Sequence, residues 1–111
     1  MLSKTRRIPR QYFPEILTKG RRYNSPSLLL YCLPTAGESR FSFSVSKKVC
    51  KKAVDRNKHR RRGYAAVQKH LDSIKSGFFC FLSFKKGSGG ISFAALEKEI
   101  TDLLKASSVV R

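Results

Sequence analysis

The chain has no tryptophan, one methionine, three cysteines and four prolines. Its scarcest property is negative charge. Seven Asp and Glu stand against twenty-four Lys and Arg, a formal net charge of +17 over 111 residues. Glu15, Glu38, Asp55, Asp72, Glu97, Glu99 and Asp102 are scattered. Glu97 and Glu99, two apart, point to different faces of a helix. No carboxylate cluster that holds a catalytic metal is expected, so the metal sites predicted are none. His59 and His70 are eleven apart and do not converge; His59 reads as part of a basic surface and His70 as a helix-side residue. No Ser/His/Asp or Cys/His arrangement emerges. Cys32, Cys50 and Cys80 form no C-x-x-C pair, and an odd count fits neither a zinc site nor a disulfide framework. Reduced thiols in a cytoplasm are the expectation, with Cys32 and Cys80 placed in the core by their apolar neighbours. No apolar run approaches the ~20 residues of a membrane span. Residues 1–10 carry charge but no apolar h-region, so no secretory signal is expected. The glycine-rich loop at residues 85–90 lacks the G-x-x-x-x-G-K-[ST] order of a phosphate loop. Nothing suggests a small-molecule substrate.

What remains is basic charge around an adequate core. Apolar residues make up 41% of the chain and aromatics 11%, enough for one domain spanning residues 1–111 and too many for global disorder. A compact body this basic repels itself unless a polyanion neutralises it, and nucleic acid is the first candidate. A membrane surface is the weaker alternative. The charge peaks at residues 47–62, KKVCKKAVDRNKHRRR, where nine basic residues face one acid, Asp55. The run is wedged between an alternating segment and a helix-favouring one. That distinguishes it from a solvated tail, because it is held in shape.

The pattern along the chain predicts α-β-β-α-β-α. Residues 1–10 are a basic arm. A short helix starts near Arg10 or Gln11, because Pro14 is tolerated only in a first turn. It ends at Gly20 in a C′-like position and gathers Phe13, Ile16 and Leu17 on one face. A short strand near residues 21–23 is an additional expectation. Residues 27–33 form a strand apolar on both faces, with Leu28, Leu30 and Cys32 opposite Leu29, Tyr31 and Leu33. Residues 34–39 are the turn of a hairpin. Residues 40–46 alternate: Phe41, Phe43 and Val45 inward, Ser42, Ser44 and Ser46 outward. The serine face is either a groove floor or an ordinary solvated surface. A helix follows over residues 53–73, with Ala53, Asn57, Arg60, Tyr64, Val67 and Leu71 on one stripe. Gly63 within it costs ~1 kcal/mol relative to Ala, which a close backbone approach would explain. Residues 78–84, FFCFLSF, read as a buried strand. Ser92 caps a last helix carrying Phe93, Leu96, Ile100, Leu103 and Leu104 at 3/4 spacing. The tail from residue 106 frays. The fold class is α+β: a two-layer sandwich of a small mixed sheet and about three helices.

The chemistry supplied is that of a binder. Lys and Arg neutralise phosphates and release counterions, and Arg adds a planar fork. Aromatics offer bases a stacking platform. Tyr31, whose apolar neighbours face the other way, and then Phe13 are the candidates; for each, a plain core position is the alternative. The RNA-binding candidates are Lys47, Lys48, Lys52, Arg56, Lys58, Arg60, Arg61 and Arg62. Asn57, on the expected core stripe, reads as a structural hydrogen-bonding residue within the motif.

Ser44-Val45-Ser46-Lys47-Lys48, followed by Ala53-Val54-Asp55-Arg56-Asn57-Lys58-His59-Arg60-Arg61, resembles the protein subunit of bacterial ribonuclease P, with its S-x-S-K-K and A-V-x-R-N-x-x-[KR]-R segments. Phe13, Ile16, Leu17 and Gly20 match that family's first helix, and Leu30-Tyr31 its next strand. Tyr64 stands where the family usually has another Arg, Gly63 where it has no glycine, and Leu17 where an aromatic is common. The resemblance implies a subunit of a ribonucleoprotein endoribonuclease that removes the 5′ leader of precursor tRNA. The RNA subunit catalyses with Mg²⁺, and the protein itself holds no cofactor. It implies a leader groove between the first helix and the sheet, involving Phe13, Tyr31, Ser42, Ser44 and Ser46. It also implies an RNR face against the catalytic RNA, a left-handed βαβ crossover and a cytoplasmic location. The alternative is a ribosomal or other structural RNA-binding protein. A DNA-reading helix over residues 53–71 is a third reading, disfavoured because no helix-turn-helix partner precedes it.

Overall fold

The computed structural model describes residues 6–110. Within them, four strands and three helices follow in order: α1 (Phe13–Lys19), β1 (Arg21–Asn24), β2 (Leu28–Pro34), β3 (Arg40–Ser44), α2 (Ala53–Gln68), β4 (Phe78–Phe84) and α3 (Phe93–Ala106). The sheet order is β1-β2-β4-β3. β2 is antiparallel to both β1 and β4, while β3 runs parallel to β4. The helix between the parallel strands is α2, so β3, α2 and β4 form a βαβ unit.

This order overturns the expected β2–β3 hairpin. β4 carries large apolar side chains on both faces, and more of that surface is buried in the middle of the sheet than at its edge. It therefore takes the centre and separates the two strands that precede it. The connection from β2 to β3 is instead tied to the entrance of β4. Thr35 N–H donates to Gly77 O at 2.8 Å, and Gly77 N–H donates to Gly37 O at 2.9 Å. The buried Ser39 hydroxyl donates to Lys75 O and accepts from Phe78 N–H.

One face of the sheet bears the main core. Leu28, Leu30, Cys32, Phe41, Phe43, Cys80, Leu82 and Phe84 pack there against Tyr64, Ala66 and Val67 of α2 and Leu96, Ile100, Leu103 and Leu104 of α3. The other face has a smaller cluster, where Ile16 of α1 and Ile8 meet Phe79. The body is a sheet-on-helix-pair sandwich, with α1 covering part of the far side.

α2 ends at Gln68, earlier than the expected residue 73, and Leu71–Ser73 forms a separate 3-10 turn. His70 lies outside the helix, with Nε2 2.9 Å from the Thr101 hydroxyl of α3. The buried face of α2 also differs in phase from expectation. It is His59, Gly63, Tyr64, Ala66 and Val67, whereas Ala53 and Asn57 are exposed. Charged and apolar residues alternate too closely in RNKHRRRG for periodicity to fix a phase. The glycine settles it: a Cβ on Gly63 would stand 2.6 Å from the Phe43 ring. Gly63 thus lets α2 lie directly on β3, where Phe43 meets Tyr64 edge-on at 5.0 Å. We expect Gly63→Ala to destabilise the protein. Overpacking costs about 1–3 kcal/mol, and the gain in helix propensity returns only ~1 kcal/mol. Urea unfolding reads this as a lower midpoint; an unchanged or higher one would mean that Phe43 yields freely.

Both chain ends depart from expectation. In the basic arm, Arg7 bridges Phe41 beside β3, and Ile8 is buried and donates its N–H to Phe41 O at 3.3 Å. Residues 1–5 of that arm, and Arg111 of the tail, lie outside the described residues. The tail does not fray through residue 110. Val109 is fully buried, Lys75 N–H donates to Val109 O at 2.7 Å, and Val110 bridges Ile74. An apolar Val109-Val110 pair gains more from docking than the chain loses by ordering. Gly20 does close α1, but with φ −68°, outside the left-handed region. Its role is close approach, since a Cβ would lie 2.5 Å from Ile16 O.

Candidate nucleic-acid interface

Residues directly opposite one another in a sheet share a face. The register places Arg22, Tyr31, Phe81 and Ser42 in one row across the four strands, on the α1 side. Leu33, Phe79 and Arg40 form the row on one side of it; Leu29, Ser83 and Ser44 lie in the row on the other. Ile16 anchors α1 over Phe79 and leaves the Tyr31–Phe81 row only partly covered. Phe13 of α1 leans over that row, its ring 5.2 Å from Phe81, and Tyr31 stands 6.0 Å from Phe81 on the other side. All three rings are half-buried. They form a partly open aromatic surface whose π-faces suit unpaired bases.

Phe81 was missed by the sequence reading, which treated residues 78–84 as uniformly buried. Strand parity carried the signal, because Phe79, Phe81 and Ser83 alternate with the buried Cys80, Leu82 and Phe84. The serines divide. Ser42, expected to face outward, is only 7% exposed; Ser44 is half-buried; Ser46 is exposed, past the end of β3. The continuous hydroxyl floor is therefore not formed, and aromatic rings occupy the centre.

Cations edge this surface. A cleft of about 410 Å³ is lined by Arg7, Ile8, Pro9, Arg10, Phe13 and Arg40. Arg7 Nε is buried there without a hydrogen-bond partner among the described residues. These arginines were read only as arm and strand end. They converge because Arg7 docks on β3, a tertiary contact between segments over thirty residues apart.

The basic run forms a second surface. Lys47 and Lys48 are exposed in the turn after β3, and Lys52 is exposed at the N-cap of α2. Along α2, Lys58 and Arg61 are exposed, and Arg60 and Arg62 are half-buried. Lys58, Arg61 and Arg62, three and four apart, lie side by side. Arg56 is half-buried, and its Nη1 donates to Cys50 O at 3.0 Å and Lys51 O at 2.7 Å, fastening the loop that enters the helix. Asn57, expected on the core stripe, is exposed and accepts a hydrogen bond from Arg60 Nη2. It orients an arginine on the surface. The core position belongs to His59, 5% exposed, which was read as basic surface. Its Nδ1 lies 2.8 Å from Asp55 O and its Nε2 3.1 Å from Gly89 O, and its ring meets Phe84 edge-on at 5.3 Å. It joins α2 to the glycine-rich loop, beside a cleft of about 450 Å³ that Lys58 and Arg62 border.

Among the described residues, no three His, Cys, Asp or Glu side chains come together to hold a metal ion. Glu97 pairs with Lys69 at 2.8 Å, whereas Glu99 accepts from the Ser25 hydroxyl and Ser27 N–H, so the two do face apart. No helix is long and apolar enough to cross a membrane among the described residues.

Residues 2–108 match the family model described as Ribonuclease P. A protein of Synechococcus elongatus named Ribonuclease P protein component is 38% identical over 107 residues, covering 91% of this chain and 88% of that one. A protein of the same name from Syntrophomonas wolfei is 30% identical over 112 residues, covering 98% and 92%. Among solved structures, the RNase P protein of Staphylococcus aureus superposes with a TM-score of 0.87 at 22% identity, covering 97% of this chain and 100% of that one. The Thermotoga maritima RNase P protein gives 0.82 at 22% identity, covering 90% and 96%. The solved structures speak for the mixed four-stranded α+β fold and the sequence relatives for the lineage: the chain belongs to the family of ribonuclease P protein components.

Proposed function

We propose that the aromatic surface beside α1 holds the single-stranded 5′ leader of precursor tRNA, and that the basic face of α2 rests on the ribonuclease P RNA. As a member of its family the protein is a subunit of a ribonucleoprotein endoribonuclease in which RNA is the catalyst. The observation that carries the reading is the Phe13–Phe81–Tyr31 cluster, three half-buried rings on one face. Single-stranded RNA is recognised by stacking of unpaired bases, and the arginines at the cleft beside Phe13 supply phosphate partners. The second surface, Lys58, Arg61 and Arg62 with Lys47, Lys48 and Lys52, is rigid because it is built on a helix and the turns leading into it. Two surfaces let one small cation lie between two RNAs that would otherwise repel. Among the described residues the scattered carboxylates do not gather into a Mg²⁺ site. The place of action that follows is the cytoplasm, where precursor tRNA is made.

The test is cleavage of precursor tRNA by a bacterial ribonuclease P RNA at low Mg²⁺, with and without the protein. Stimulation by the protein supports the reading, and its absence opposes it. The protein without RNA is expected to leave precursor tRNA intact at every Mg²⁺ concentration. Site-specific 5′ cleavage by RNA-free protein in a gel assay would overturn that.

A further inference from the structure

Cys32 and Cys80 occupy directly opposite positions on β2 and β4. Continued beyond the strand ends, the same register sets residue 35 opposite 77 and residue 27 opposite 85. Thr35 N–H donates to Gly77 O, and Lys85 N–H donates to Ser27 O, both at 2.8 Å. Both are hydrogen-bonded pairs, and pair types alternate along an antiparallel ladder. The odd positions of β2 are therefore hydrogen-bonded pairs and the even ones are not. Pro34, which has no N–H to give, falls in the second class, and so does Cys32. In a non-hydrogen-bonded pair the Cα atoms are about 4.5 Å apart, with side chains on one face and close together. That is inside the range a disulfide bridges, about 4.4–6.8 Å, at its short end.

The two thiols are not equivalent. Cys80 is fully buried, whereas Cys32 is 5% exposed and lines a cavity of about 180 Å³ with Arg21, Tyr23, Pro34, Phe78 and Ser107. Hydrogen bonding with the Cys80 thiol, helped by the Arg21 guanidinium, holds the Cys32 thiol below its ordinary value against the effect of burial. The same interaction, followed by complete burial, pushes the Cys80 thiol up. Because Cys32 borders the cavity and Cys80 does not, Cys32 is the attacking sulfur and Cys80 the resolving one. Cys50, the third thiol, is elsewhere, buried beside His59.

We propose that Cys32 and Cys80 are a reversible cross-strand redox site, closed by a small anionic disulfide of the glutathione type that enters past Arg21. The Cys32 thiolate attacks one sulfur of the disulfide, forming a mixed disulfide and releasing one thiolate. The Cys80 sulfur then attacks the Cys32 sulfur and displaces the second thiolate, which leaves with the Cys80 proton. The protein loses two hydrogens and is oxidised by two electrons, and one small disulfide is reduced to two thiols. The bridge would join the two strands that present Tyr31 and Phe81, one residue along, on the opposite face.

The experiment treats the folded full-length protein with glutathione disulfide, then measures intact mass and alkylates the remaining thiols after denaturation. Expected is the loss of two hydrogens without a glutathione adduct, one remaining alkylatable thiol at Cys50, and reversal by dithiothreitol. Cys80→Ala should stop at one glutathione on Cys32, and Cys32→Ala should stay unmodified in folded protein. Three free thiols in treated wild type, or a bridge that includes Cys50, would overturn the proposal. The wild-type measurement stands even if a variant fails to fold, and it is independent of any RNA.

Discussion

Replacing Tyr31 with alanine is expected to weaken binding of precursor tRNA to the holoenzyme by about 5- to 150-fold and to leave mature tRNA binding nearly unchanged. The range follows from stacking, worth ~1–3 kcal/mol per base. The asymmetry follows from the substrate, because mature tRNA has no leader to stack. Tyr31 is half-buried with its ring beside Phe81, so some loss of stability accompanies the change. Phe81→Ala should behave alike, since it removes the ring between Tyr31 and Phe13. Affinities of both tRNAs, measured alongside the melting temperature, separate the cases. Equal losses for the two tRNAs with a lowered melting temperature would leave Tyr31 and Phe81 as packing residues and remove the groove.

The triple variant Lys58→Ala, Arg61→Ala, Arg62→Ala should lower affinity for ribonuclease P RNA by about two orders of magnitude near 0.1 M salt. Each phosphate contact contributes about 0.7–0.9 to the log–log salt slope, and therefore about that many decades at this concentration. The slope should fall by about two to three. These three side chains lie on one surface, Lys58 and Arg61 exposed and Arg62 half-buried, so the melting temperature should change little. Arg56→Ala is the contrasting case. Its guanidinium already holds Cys50 O and Lys51 O, so its loss should loosen the loop into α2 more than it flattens the slope. An unchanged slope in the triple variant would reduce the α2 face to a solvated one.

Much of this was legible in the chain itself. The concentration of cations in KKVCKKAVDRNKHRRR, the alternation of Phe41 and Phe43 with serines, the two-sided apolar strands and the Ser92 cap with its 3/4 spacing are local patterns. They depend on neighbours within one or two turns, and the elements formed where they pointed. The motif at residues 44–61 also identified the family, because it lies in one continuous stretch.

What tertiary structure decided are the relations between distant segments. Alternation says which side of a strand is apolar but not which strand lies beside it. β4 separates β2 from β3 because a strand apolar on both faces buries more of them between two neighbours than at an edge. Charge run together with apolar residues left the phase of α2 open, until the contact of Gly63 with Phe43 turned His59 inward and Asn57 out. Arg7 and Val109 looked like ends of a chain until an edge strand and a helix end gave them partners. Phe81 joined Phe13 and Tyr31, and Cys32 met Cys80, only through a register set by the whole sheet. Local sequence chooses an element's conformation by short-range energetics. The neighbours of that element are chosen by what the entire chain must bury.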